Sequence, residues 1–183
     1  MRTFVAIDIP ASDEIKNLYT DLSHNLKGID IKYAELNNYH ITLTFIGETE
    51  TSKVSGLCEI FEHINFNFNN IELNLANLGF FKNGQIPSVI WVGIVHNKTL
   101  QELWTIINQV VTSVGFKVDQ RKFQPHLTVG RIKKLYPNNN LESFKVKYQN
   151  TSFGKVLIAQ FVYYQSILTP QGPIYKPIQK FKI

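Results

Sequence analysis

The chain has one cysteine, little charge and no long apolar run, and each shortage excludes a class of protein. Because Cys58 is the only cysteine among 183 residues, neither an internal disulfide nor a Cys-rich metal site can form. No apolar segment approaches the roughly 20 residues that a membrane-spanning helix needs. Charged residues make up only 18% of the chain, which argues against intrinsic disorder. We therefore expect a folded, cytoplasmic protein with no membrane association.

The first ten residues place a basic residue before an apolar run, as a secretory signal does. Here, however, the apolar run is short and Asp8 interrupts it, so it predicts a first strand instead. The chain has 19 basic and 14 acidic residues, giving a net charge of +5. This excess favours anionic partners such as nucleic acid, although many ordinary enzymes carry as much.

Hydrophobic periodicity predicts strands and helices in an irregular order. The predicted strands are 3–9, 39–46 (ended by Gly47), 70–79, 88–95 (after a loop at 82–85), 125–132, 155–168 and 174–182 (after a turn at 170–173). The predicted helices run from a cap within 11–13 to about 26, over 51–63, over 98–114, and from a turn at 138–140 to about 148. No linker divides the chain, so we expect a single domain over 1–183. The order lacks the steady rhythm of a doubly wound sheet, which indicates an α+β fold with largely antiparallel sheets.

One short pattern occurs twice. His40-Ile41-Thr42 and His126-Leu127-Thr128 each lie early in a predicted strand. Because side chains alternate along a strand, each motif presents an imidazole and a hydroxyl on one face, roughly 7 Å apart. In the first strand the alternation places Ile41, Leu43 and Phe45 on the other face, toward the core. The repetition suggests two lobes that each contribute one strand to a shared cleft.

Two imidazoles and two hydroxyls suit attack on a phosphodiester without a metal. A neutral histidine can take a proton from water while a protonated one gives a proton to the departing oxygen. The hydroxyls can bind phosphate oxygens, and Arg131 can offset their charge. Strict alternation places Arg131 on the face opposite His126, whereas a bulge or strand end at Gly130 would return it to the cleft. The sequence leaves both open, with Lys133 and Lys134 close by.

The histidines also have other interpretations. The two motif histidines fit structural roles on half-buried strands about as well, when judged by spacing alone. His24, His63 and His96 have no partner spacing, and we expect them to be structural or solvated. A zinc site at the motifs would need a third protein ligand, and the nearest acid, Glu48, follows Gly47 in a predicted loop. We therefore predict no metal and no cofactor.

Five blocks resemble a known family in their order along the chain. They are residues 2–10, 38–48, 87–93, 123–131 and 166–175. On these blocks the chain resembles the RNA 2',3'-cyclic phosphodiesterases, also called the 2'-5' RNA ligase family, within the two-histidine phosphoesterases. The resemblance implies a bilobal fold with pseudo-twofold symmetry and an active site between the lobes. It also implies hydrolysis of RNA 2',3'-cyclic phosphate ends, such as those of tRNA fragments, to 2'-phosphates.

The resemblance assigns roles residue by residue. It implies that His40 is the acid that protonates the leaving 3'-oxygen, and that His126 is the base that activates water. It places Thr42, Thr128 and Arg131 at phosphate-binding positions.

Two further functions remain open beside hydrolysis. One is a 2'-5' ligase that joins tRNA halves, and the other is a non-catalytic RNA-binding module, against which the intact His and Thr pairs argue. The chain departs from relatives at Tyr33, where they often have tryptophan, and in residues 80–87, which lack an expected arginine. We expect a monomer.

Overall fold

The computed structural model describes residues 1–119, 121–170 and 172–183, which form nine strands, four α-helices and a 3-10 turn at Leu36–Asn38. The strands are β1 (Arg2–Asp8), β2 (Ile29–Tyr33), β3 (His40–Glu48), β4 (Ile71–Asn83), β5 (Ile86–Ile94), β6 (His126–Leu135), β7 (Ser152–Ile158), β8 (Gln160–Thr169) and β9 (Gly172–Lys182). The helices are α1 (Asp13–Asn25), α2 (Thr51–His63), α3 (Lys98–Ser113) and α4 (Leu141–Lys147).

The strands form two antiparallel sheets. The four-stranded sheet has the order β3-β1-β8-β9, and the five-stranded sheet has the order β2-β6-β5-β4-β7. Helices α2 and α3 contact the four-stranded sheet, while α1 and α4 contact the five-stranded sheet. Strands β3 and β6 approach each other where the sheets meet. The predicted bilobal α+β fold is confirmed.

Apolar side chains between helices and sheets form the core. On β1, Val5 and Ile7 are fully buried, and on α1 the residues Ile15, Leu18 and Leu22 are buried as their helical spacing predicts. The core under α2 contains an aromatic cluster with ring centroids 5.1–5.3 Å apart, formed by Phe61, Phe66, Phe161 and Phe181. Each buried phenylalanine contributes about 1.5–3 kcal/mol relative to an exposed one. This packing fixes α2 against β8 and β9 of the four-stranded sheet.

The strand predicted at 155–168 is wrong in an informative way, because it is two strands in different sheets. Strand β7 pairs with β4 in the five-stranded sheet, whereas β8 pairs with β1 and β9 in the four-stranded sheet. The chain crosses between the lobes at Ala159, which is exposed. No glycine or proline interrupts 155–168, so no local signal marks the crossing.

Smaller differences concern strand ends. The five-residue strand β2 has no counterpart among the predicted strands. The predicted loop at 82–85 is a two-residue turn between β4 and β5, in which Gly84 has a φ of +61°. Gly47 does not end β3. Its φ is +86°, and the strand continues to Glu48. Within the predicted turn at 170–173, Gln171 lies outside the described residues.

The start of α1 gives a testable stability prediction. The Ser12 hydroxyl accepts a hydrogen bond from the Ile15 backbone N–H at 3.3 Å and donates one to the Phe153 carbonyl, also at 3.3 Å. Loss of an N-cap hydroxyl costs about 1 kcal/mol. We expect Ser12→Ala to lower the free energy of unfolding by about that amount in urea titration. Ser55→Ala is the control, since the exposed Ser55 hydroxyl only contacts the Thr51 carbonyl within α2; equal losses in both variants would contradict the capping role.

Candidate active site

Both His-x-Thr motifs open the strands that meet between the lobes. His40 is the first residue of β3 and His126 the first of β6, and the two strands belong to different sheets. One cavity lies between them. All five residues predicted for the site line this cavity: His40, Thr42, His126, Thr128 and Arg131. The predicted shared cleft, with one strand from each lobe, is therefore present.

Backbone carbonyls fix the orientation of both imidazoles. His40 Nδ1 lies 2.7 Å from the Asn38 carbonyl, and His126 Nδ1 lies 2.8 Å from the Gln124 carbonyl. Because a carbonyl oxygen can only accept, each Nδ1 carries a proton and donates it. Each Nε2 is therefore the nitrogen that can accept or give a proton during a reaction.

An aromatic ring stands edge-on to each imidazole. The Tyr175 and His40 ring centroids are 5.1 Å apart at 84°, and those of Phe81 and His126 are 4.6 Å apart at 88°. The Phe4 ring also packs against the His40 ring, with the two ring centroids 5.4 Å apart. In the half of the site that contains His126, the Trp91 ring lies against Gly79. A Cβ atom added at Gly79 would be 2.2 Å from the Trp91 ring. These contacts restrict the imidazoles to one orientation.

A β-bulge in β3 changes which side chains face the cavity. The pairing of β3 with β1 shifts at Leu43, which has no directly opposed residue. Beyond this bulge Thr44 is buried on the core side, whereas Phe45 lines the cavity and is 61% exposed. The prediction that Phe45 packs on the core is therefore wrong, because strict alternation does not continue through a bulge.

A second bulge occurs at the equivalent place in β6. The pairing with β5 shifts so that Val129 has no directly opposed residue. Arg131 consequently lines the cavity, on the same side as His126 and Thr128. Of the two possibilities that the sequence left open for Arg131, the structure has the one with the bulge. Arg131 and Phe45 occupy corresponding positions, each five residues after its histidine.

Burial and charge set the protonation of the histidines. Burial is the largest influence and lowers the pKa of both His40 and His126 from the ordinary value of 6.5. The Nδ1 hydrogen bonds to Asn38 and Gln124 oppose this by raising each pKa, and the positive charge of Arg131 lowers both. His40 also experiences the charge of His126. Both imidazoles therefore lie within electrostatic reach of the same guanidinium.

One carboxylate distinguishes the two halves of the site. Asp8 on β1 is the cross-strand partner of His40, whereas the corresponding partner of His126 on β5 is Gly93. The Asp8 charge raises the pKa of His40, and the Asp8 carboxylate accepts a 2.7 Å hydrogen bond from the Tyr164 hydroxyl. Among the influences on the two imidazoles, this raising charge acts on the pKa of His40 and has no cross-strand counterpart at His126.

Several cavity residues escaped the sequence reasoning. Lys32, Phe45 and Tyr175 line the cavity, and Asp8 pairs with His40. Their positions depend on pairing between distant strands or on bulges, which local patterns do not indicate. Tyr33, which departs from relatives, also lines the cavity. The departing segment 80–87 forms the hairpin end of β4 and β5, where Phe81 contacts His126.

The residues set aside on sequence lie elsewhere. His24 and His63 are exposed on α1 and α2, and each Nδ1 is bonded to a carbonyl of its own helix. His96 is exposed after β5. Across residues 1–119, 121–170 and 172–183, no three His, Cys, Asp or Glu side chains are grouped so that they could hold a metal ion.

Among the described residues, no helix is both long enough and apolar enough to cross a membrane.

Comparison with known proteins identifies the family. A family model described as LigT like Phosphoesterase matches residues 7–91 and again 92–175, so each match contains one His-x-Thr motif. The RNA 2',3'-cyclic phosphodiesterase of Methanocaldococcus jannaschii is 34% identical over 181 residues, which cover 99% of this chain and 100% of that protein. The enzyme of the same name from Archaeoglobus fulgidus is 34% identical over 183 residues, covering 100% of both chains.

Solved structures share the fold at low sequence identity. Escherichia coli LigT complexed with 3'-AMP superposes with a TM-score of 0.77 at 20% identity, covering 100% of this chain and 97% of that one. A Thermus thermophilus protein superposes with a TM-score of 0.78 at 21% identity and the same coverage. Taken with the two matches to the family model and the full-length relatives, this places the chain in the LigT-like phosphoesterase family.

Proposed function

We propose that this protein hydrolyses the 2',3'-cyclic phosphate at the end of an RNA to a 2'-phosphate, using His40 and His126 as acid and base. The observation with most weight is the pair of imidazoles in one cavity, each with Nδ1 bonded to a carbonyl and Nε2 left for chemistry. The names of the full-length relatives support the same substrate.

The reaction can be written for the residues present. His126 Nε2 takes a proton from water, whose oxygen forms a bond to phosphorus on the side opposite the 3'-oxygen. The bond from phosphorus to the 3'-oxygen breaks, and His40 Nε2 gives its proton to that oxygen. The products are a 2'-phosphate and a 3'-hydroxyl, and a proton transfer between solvent and the two imidazoles restores the starting state.

Negative charge develops on the phosphate oxygens as water attacks. Arg131 supplies the compensating positive charge, and the hydroxyls of Thr42 and Thr128 donate hydrogen bonds to the same oxygens. The assignment of His40 as the acid is supported by Asp8, whose charge raises the pKa of His40 and which has no cross-strand equivalent beside His126.

The Asp8 contribution predicts a shift in the pH profile. Asp8→Asn removes the negative charge that raises the pKa of His40, so this pKa falls further. Because the acid must be protonated, the basic limb of kcat/KM moves to lower pH, and activity above neutrality decreases. The pH profile of kcat/KM for the cyclic phosphate measures this shift. Asp119→Asn is the control, because Asp119 is paired with Arg121 away from the cavity; an unmoved basic limb in Asp8→Asn would contradict the His40 assignment.

A direct assay tests the proposed function. The protein is incubated with EDTA and a short RNA that ends in a 2',3'-cyclic phosphate, and the new end is identified. A 2'-phosphate supports the proposal. A 3'-phosphate would reverse the leaving group, and absence of turnover by the wild type would refute hydrolysis of this substrate.

Ligation is a second use of the same site. Joining RNA ends through a 2'-5' linkage follows the same bond changes with an RNA 5'-hydroxyl in place of water: the 5'-oxygen bonds to phosphorus, the 3'-oxygen leaves, and the same two histidines take and give the protons. Adding an RNA with a 5'-hydroxyl to the assay separates the two functions by product length. We also propose that the protein acts in the cytoplasm as a monomer on tRNA fragments or similar RNA ends; size-exclusion chromatography with light scattering tests the monomer.

A further inference from the structure

A row of basic side chains leaves the cavity along strands β2 and β6. Strand β2 is the edge strand of the five-stranded sheet and pairs with β6. Ile29 and Ile31 pack against the core, so the alternate residues Asp30 and Lys32 face the other way. Lys32 is the cross-strand partner of Arg131, and both line the cavity. We call this side of the two strands the ribbon face.

A bulge adds two more lysines to the ribbon face. Asp30 pairs with Lys134 and Ile31 with Ile132, which leaves Lys133 as the extra residue of β6. Ile132 and Leu135 both pack against the core. The two lysines between them are exposed, and both project from the ribbon face rather than alternating across the sheet. Lys133 and Lys134 therefore continue the row that begins with Arg131.

The charge of the ribbon face is unbalanced. It contains four cations, Lys32, Arg131, Lys133 and Lys134, and one acid, Asp30. The carboxylate of Asp30 accepts a hydrogen bond from the Tyr136 hydroxyl at 3.2 Å, and the Lys134 ammonium lies 4.6 Å from the centre of the Tyr136 ring. This excess of positive charge attracts an anionic strand.

The end of the hairpin between β8 and β9 has a different character from the ribbon face. Gly172 and Pro173 of the hairpin between β8 and β9 line the cavity, and its end exposes Leu168 and Ile174 at 67% and 55%. A polyanion that has one end in the cavity therefore meets exposed apolar side chains at the end of this hairpin and exposed cations, Lys133 and Lys134, along β6. The electrostatic difference favours the ribbon face as its path.

We propose that the ribbon face binds the phosphates on the 5' side of the terminal nucleotide, so that the preferred substrate is an RNA strand rather than a single cyclic nucleotide. The inference rests on the proposed function. Lys134 lies three residues along the strand from Arg131, which at about 3.3 Å per residue is about 10 Å. Lys134 therefore lies beyond the reach of the terminal cyclic phosphate and serves the next part of the strand.

The test compares two substrates and two double variants. The substrates are adenosine 2',3'-cyclic phosphate and an RNA hexamer with the same end. One variant combines Lys133→Gln with Lys134→Gln. The control combines Lys180→Gln with Lys182→Gln, two exposed lysines near the far end of β9. The measured quantity is the ratio of kcat/KM for the hexamer to kcat/KM for the mononucleotide, at several salt concentrations.

The wild type is expected to prefer the hexamer, and this preference should weaken with salt. Each lost phosphate contact reduces the salt slope by about 0.7 for a single strand, so the Lys133 and Lys134 variant should lose roughly 1.4 of slope. At low salt its ratio should fall about tenfold, while the control keeps the wild-type ratio. A ratio equal to that of the control would overturn the proposal.

Failure of the proposed function can be told apart from failure of the ribbon face. If the wild type hydrolyses neither substrate, binding of the hexamer is measured by fluorescence anisotropy. Weaker binding and a smaller salt slope for the Lys133 and Lys134 variant would then support the ribbon face without the reaction. Equal binding by this variant and the control would reject the ribbon face as well.

Discussion

Replacing either His40 or His126 with alanine is expected to lower kcat/KM for hydrolysis of the cyclic phosphate by about 10²–10⁴. Each imidazole is proposed to move one proton in the rate-determining step, and no other imidazole lines the described cavity. The loss should appear mainly in kcat, because the proposed phosphate contacts of Thr42, Thr128 and Arg131 remain in both variants. Initial rates over a range of RNA concentrations separate kcat from KM.

Two further variants are compared with the single histidine variants. His63→Ala removes an exposed imidazole that is bonded to its own helix, and should keep wild-type activity. The double variant of His40 and His126 should be little worse than either single variant, because the acid and the base act in one step. Near-normal turnover by either single variant would contradict the two-histidine mechanism.

Loss of the guanidinium at Arg131 is the second large expected effect. Removing one group that stabilises transition-state charge typically costs about 10²–10³ in rate, and we expect a loss of this size for Arg131→Ala. Arg131→Lys should recover only part, because an ammonium lacks the planar fork that binds two phosphate oxygens at once. Steady-state kinetics on the cyclic phosphate measure both variants.

The Arg131 variant has a second, independent readout. Because Arg131 lowers the pKa of both His40 and His126, its removal should raise both, and both limbs of the pH profile of kcat/KM should move to higher pH. Arg121→Ala is the control, since Arg121 is exposed and pairs with Asp119. A rate loss in Arg131→Ala with unmoved limbs would place Arg131 outside the cavity in solution.

The grouping of the five candidate residues in one cavity could be predicted from the sequence because the motifs that carry four of them are local. Each His-x-Thr motif places an imidazole and a hydroxyl on one face of a strand, and the repetition of the motif indicated that two strands meet. Strict alternation of side chains along the strand, however, does not hold at the fifth residue after each histidine. Phe45 and Arg131 both reach the cavity through a bulge, and a bulge depends on the partner strand rather than on local sequence.

Features that depend on pairing between distant segments were beyond local patterns. Asp8 becomes relevant only because β1 pairs with β3, and Tyr175 only because β9 continues the same sheet. The division of 155–168 between two sheets has the same origin. Helices were predicted more closely, since the periodicity and end signals that define α2 and α3 lie within each segment.

The proposed roles of His40 as acid and His126 as base are tested most directly with a substrate whose leaving group needs no proton. A nucleoside phosphodiester of p-nitrophenol releases a stable anion, so it needs the base but not the acid. His40→Ala should hydrolyse this ester at close to the wild-type rate while its kcat/KM for the cyclic phosphate stays about 10²–10⁴ lower, and His126→Ala should be slow on both substrates. Hydrolysis of the ester near the wild-type rate by His126→Ala instead of His40→Ala, or by neither variant, would contradict the assignment of His40 as acid and His126 as base.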